Sequence, residues 1–110
     1  PGFVNNGLSS VPGLVAKTEL GANHPNPFNP KTAFSFSLAK DDHVRLEDFD
    51  LRGRLVDVVV DENLTAGSNE GKYVWDGTDR SGRRVNSGTY FFRMTTGSGH
   101  VEARKMMLLK

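Results

Sequence analysis

From Phe34 onward the apolar residues of this chain recur at every second position, in short runs separated by turn residues. Phe34, Phe36 and Leu38 alternate with Ser35 and Ser37, and Val44 and Leu46 alternate with Arg45 and Glu47. Val56, Val58 and Val60 follow, then Tyr73 and Trp75, then Tyr90, Phe92 and Met94. A period of two lines one face of a β-strand, because successive side chains point to opposite faces. No stretch of helical length shows an apolar stripe at the helical period. The turn residues sit between the runs, at Lys40-Asp41-Asp42, Leu51-Arg52-Gly53-Arg54, Asp76-Gly77, Ser81-Gly82 and Gly97-Ser98-Gly99. Asn63 to Glu70 reads as a polar loop around Gly67. Short strands with turns every 8–12 residues or so are the pattern of an all-β antiparallel sandwich. The alternation turns Tyr73, Trp75, Tyr90 and Phe92 inward and Phe91 outward.

The N-terminal third reads differently. Residues 1–19 mix Gly, Asn, Ser and Pro with apolar residues at no regular spacing, the composition of a linker or arm. Pro25, Pro27 and Pro30 then impose a stiff extended lead-in, with Phe28 placed to plug the open end of the sandwich. Residues 20–110 are read as one domain, in keeping with a length of 110 residues.

Composition excludes several functions. There is no cysteine, so disulfides and thiolate metal sites are ruled out. The net charge of +1, with both signs mixed along the chain, gives no nucleic-acid footprint. No apolar run approaches the roughly 20 residues of a membrane span. The chain opens at Pro1 without a charged-then-apolar leader, so a processed product or part of a longer protein is expected.

The residues that could perform chemistry are scattered. His24, His43 and His100 have no zinc-ligand spacing. Asp41, Asp42, Asp61, Glu62, Asp76 and Asp79 all fall near turns. In the loop from Asp76 to Gly82, Asp76 and Asp79 are weak calcium candidates, because the loop lacks the ligand order of a calcium-binding hand. Asp and Gly are also what tight turns require by themselves. The expectation is a non-catalytic domain with no cofactor, no metal and no small-molecule substrate. Trp75, Tyr73, Tyr90, Phe91 and Phe92 could form a sugar-stacking platform, but alternation assigns most of them to the core.

Five pieces in order support a resemblance. They are Asn23-His24-Pro25-Asn26-Pro27-Phe28-Asn29-Pro30, Phe49-Asp50-Leu51-Arg52-Gly53-Arg54-Leu55-Val56, Trp75-Asp76-Gly77 through Gly82, Gly88-Thr89-Tyr90-Phe91-Phe92-Arg93, and Lys105-Met106-Met107-Leu108-Leu109-Lys110. The stretch from about Leu20 to Lys110 resembles the type A C-terminal sorting domain of type IX secretion substrates and the related Ig-like domain of flagellar hook-capping proteins. The resemblance implies a seven-stranded Ig-like sandwich that serves as an address read by an outer-membrane translocon. It implies a secreted protein at the cell surface or outside the cell. Its recognition residues would be Pro25, Asn26, Pro27, Asp50, Gly53, Gly88, Tyr90, Lys105 and Lys110. Most of these also have a plain structural use: Gly53 and Gly88 as turn glycines, Tyr90 in the core, Asp50 as a cap on the Gly53 turn. The family usually has an apolar residue where this chain has Asp48. Alternation would turn Asp48 inward, so a bulge rolling it outward or an Arg partner is expected. Two other readings stand beside the sorting domain. One is a structural subunit that pairs with identical copies, using Val11, Leu14 and Val15 of the arm as a donor strand. The other is a carbohydrate-binding module.

Overall fold

The computed structural model describes residues 17–110. They form seven strands: β1 (Glu19–Leu20), β2 (Thr32–Leu38), β3 (Asp42–Phe49), β4 (Leu55–Leu64), β5 (Gly67–Trp75), β6 (Gly88–Thr96) and β7 (Val101–Leu108). The strands make two antiparallel sheets, ordered β1-β2-β5 and β4-β3-β6-β7. No helix among the described residues is long and apolar enough to cross a membrane.

The inner faces meet as the alternation dictates. Phe34, Phe36 and Leu38 from one sheet close on Val44, Leu46, Val60, Phe92 and Met94 from the other, all buried. Phe34 lies 4.9 Å from Phe92, ring to ring. At one end of the sandwich Trp75 sits between Phe28 at 5.7 Å and Tyr90 at 5.4 Å. Phe28 plugs that end. Its backbone bridges β7, donating to the Met107 carbonyl and accepting from Leu109 N–H. The peptide bonds preceding Pro25, Pro27 and Pro30 are all cis.

Two local expectations need correction, and two residues that face outward as expected are more covered than their direction suggests. The three valines of β4 do not share one face. Leu46 pairs with Val60 and Glu47 with Val58, so Val59 is an extra residue in a bulge. Val59 is drawn against the core and Val58 turns outward beside Glu47. Asn63 to Glu70 is mostly strand rather than loop. β4 runs to Leu64 and β5 starts at Gly67, so only Thr65 and Ala66 connect them as the chain changes sheet. The Asp41 carboxylate accepts Ala66 N–H there and fixes the short connection. Phe91 lies on the outer face, as the alternation predicts, but is partly buried, in register with Phe49. Glu47 also lies on the outer face, yet it is buried beneath Arg45 and Arg93, which hold it at 2.8 and 3.0 Å. Burial raises its pKa, but the two arginines outweigh that and leave it lowered.

Candidate functional site

The residues expected to be recognised come from separate parts of the sequence, and the sheet register gathers them at one end of the sandwich. Gly88 pairs with Leu108, Tyr90 with Met106, and Phe91 with both Lys105 and Phe49. The β3–β4 turn with Asp50 and Gly53 is therefore at the same end as the close of β7. Lys110 joins them, its N–H donating to Ser87 Oγ at 3.0 Å. The Pro25-Asn26-Pro27 segment lies along the edge of β7, and Asn26 Oδ1 accepts Met107 N–H at 3.0 Å. Pro25 is anchored through its carbonyl, which accepts from Thr32 Oγ1 at 2.8 Å.

Each position has a local physical reason. Asp50 Oδ1 accepts the N–H groups of Arg52 and Arg54, and the Asp50 carbonyl accepts Gly53 N–H. Gly53 has φ +80°, a left-handed conformation that a side chain would strain. The Arg54 N–H bond, with the Arg54 side chain, holds the Asp50 carboxyl below its usual range. Tyr90 is buried, and its hydroxyl donates to the Asn86 carbonyl at 2.6 Å. Burial and the nearby Asp50 charge push its phenol up. Lys105 and Lys110 are exposed, and neither lies within ion-pair distance of a carboxylate among the described residues. Asn26, Asp50, Gly53 and Tyr90 thus shape the surface, while Pro25, Pro27, Lys105 and Lys110 are presented on it.

Asp48 behaves differently from expectation. Bulges flank it on the β4 side, but they leave it facing inward at 0% exposure. Neither carboxylate oxygen has a hydrogen-bond partner, and no arginine reaches it. Its register partner across β4 is a second acid, Asp57. Burial, with the Asp57 charge adding to it, pushes the Asp48 carboxyl up to about 8. The bulges take up the extra residues of β4 and leave the direction of β3 unchanged, which is why they do not free Asp48.

The calcium candidates are occupied as turn residues. Asp79 Oδ1 accepts from Ser81 N–H, Ser81 Oγ and Arg83 N–H, and Asp76 accepts from Thr78 Oγ1. Among the described residues no group of three or more His, Asp or Glu is arranged to hold a metal ion. His43 bonds Asp61 and Asn63, and His100 bonds Glu102. Trp75 is 1% exposed and donates Nε1–H to the Thr78 carbonyl at 2.8 Å, so it cannot stack on a sugar. Val11, Leu14 and Val15 lie outside the described residues. The sequence reading missed the role of Asn26 as a clasp on β7 and the burial of Glu47. A polar residue between two prolines was the only trace of the first.

A search of curated proteins finds no match. Solved structures do match. Dimeric latent PorU from Porphyromonas gingivalis is 26% identical with a TM-score of 0.66, over 86% of this chain and 9% of that one. PorZ, described as an essential bacterial surface component of the type-IX secretion system of Porphyromonas gingivalis, is 16% identical with a TM-score of 0.53, over 99% of this chain and 13% of that one. FlgD from P. aeruginosa is 24% identical with a TM-score of 0.53, over 86% of this chain and 75% of that one. The chain thus spans only a small part of the two larger proteins, PorU and PorZ. The FlgD Ig-like domain family matches residues 15–100, and the chain belongs to that family.

Proposed function

We propose that this domain is a non-catalytic sorting module, which directs a protein joined to it across the outer membrane to the cell surface. The observation that supports this most is the convergence at one end of the sandwich. Pro25 and Pro27 from the lead-in, the Asp50–Gly53 turn, Gly88 and Tyr90 at the start of β6, and Lys105 and Lys110 at the C-terminal strand form one surface. The cations and prolines are exposed, and buried neighbours fix their positions. The likeness in fold to part of PorZ, a component of the type-IX secretion system, agrees with a place in secretion. Secretion machinery of the outer membrane is the proposed partner, and a rigid surface with a C-terminal strand is what it would read.

A reporter carrying a signal peptide and fused ahead of residues 18–110 tests this in a bacterium with type IX secretion. A matched copy lacks Arg104 to Lys110. Reporter reaching the surface or medium only with the intact tail is the expected result. Reporter retained in the periplasm with both copies would overturn the proposal.

A further inference from the structure

The edge of β7 is covered at both ends and open between them. At the C-terminal end the N–H of Met107 is taken by Asn26, and its carbonyl by Phe28 N–H. Leu109 N–H bonds the Phe28 carbonyl. At the other end the side chains of Glu102 and Arg104 reach across to the backbone of Leu20. Backbone groups alternate in direction along a strand. The N–H and C=O of Ala103 and Lys105 therefore point outward as those of Met107 do. They have no partner among the described residues, and both residues are exposed. An unpaired edge is a template for another strand.

The surroundings select the charge of that strand. Lys31, Arg84, Lys105 and Lys110 lie at this end with no carboxylate in ion-pair distance among the described residues. Of the acids at this end, Asp50 is engaged by Arg54 and Asp79 by Arg83, while the exposed Asp76 accepts from the Thr78 hydroxyl and has no cation in ion-pair distance among the described residues, so the cations outnumber the free acid. Asp41, Asp42, Asp61 and Glu62 gather at the opposite end, where β3 begins and β4 finishes. Lys105 also borders a groove lined by Asn26, Pro27, Thr89 and Met107. Met107 is 41% exposed and offers an adaptable apolar contact beside the cation.

We propose that the open edge at Ala103 and Lys105 takes an extended acidic segment of a partner protein by strand addition, with Lys105 and Lys110 pairing its carboxylates and Met107 meeting an apolar side chain. This rests on the reading that this end of the domain is the one recognised. The acyl chains of an anionic lipid would leave the alternating donors and acceptors of the edge unmet, even where its headgroup satisfied the cations.

The test uses the full chain, labelled with 15N, and an acetylated peptide of alternating glutamate and valine, with a lysine-and-valine peptide as control. The acidic peptide is expected to shift the Ala103, Lys105 and Met107 amides and to protect the first two from exchange. The Lys105→Glu/Lys110→Glu double variant is expected to weaken binding about tenfold or more, while Lys40→Glu at the opposite end leaves it unchanged. Ala103→Pro removes an outward N–H and no ladder bond, so it is expected to keep the fold by circular dichroism and lose the peptide. Peptide binding that leaves the Ala103 and Lys105 amides unperturbed overturns the proposal. So does binding of phosphatidylglycerol vesicles through the same lysines with no response to peptide. Export tells the two readings apart. A chain that binds the peptide but is not exported contradicts the sorting role alone. Ala103→Pro that loses the peptide but is exported normally contradicts the docking mode alone.

Discussion

Asp48 is the residue where local pattern and burial conflict most. Alternation from Val44 and Leu46 points it inward, and the fold keeps it there with no partner. Its carboxyl is raised from 3.8 to about 8, so the folded state prefers the protonated form. The stabilising effect of that proton is complete below the unfolded pKa near 3.9 and is lost as pH rises toward 8. At pH 7 the domain therefore bears a penalty. Asp48→Val is expected to raise unfolding free energy at pH 7 by about 2–4 kcal/mol, and by much less at pH 4. Urea unfolding of both proteins across that range measures it. An equal gain at both pH values would mean that Asp48 is not held protonated. Sequence alone exposed the problem at this position but not its outcome, because whether an inward acid is relieved depends on neighbours contributed by β4.

At the scale of elements, the C-terminal strand and the proline-rich lead-in act as one unit. Phe28 packs on Trp75 while its backbone and Asn26 occupy the edge of β7. Asn26→Ala is expected to cost about 1 kcal/mol and to speed amide exchange at Met107, with little change at Phe34 or Val44. Uniform faster exchange would assign Asn26 a global rather than a local role. Phe28→Ala is expected to cost about 3–5 kcal/mol and to raise quenching of Trp75 fluorescence by acrylamide, because it opens the end of the core. In the intact chain Trp75 is expected to be strongly protected. The lead-in plug was legible because Phe28 is the single large apolar group among three prolines. The β4 bulge was not. Three alternating valines and a fourth between them look alike in either phase, and only pairing with β3 decides which faces in. The strand at Gly67 was hidden for a related reason: Gly, Ser, Asn and Glu are poor strand formers, and hydrogen bonds to β2 override that preference.

For the whole molecule, seven strands and a shared core were readable from period-two runs, since each run buries on one face. That the expected recognition residues lie together was not readable, because pairing of β6 with both β3 and β7 is what brings them to one end. The same pairing leaves the basic groups Lys31, Arg84, Lys105 and Lys110 facing one direction and a group of acids facing the other.

The most direct measurement is export of the reporter fused to residues 18–110, comparing the intact domain, the Lys105→Glu/Lys110→Glu variant and the Lys40→Glu variant, each verified as folded by circular dichroism. Surface or medium reporter is expected for the intact and Lys40→Glu domains, and periplasmic retention for the double variant. Equal export of all three would contradict the claim that the C-terminal end of the sandwich is the surface that is read.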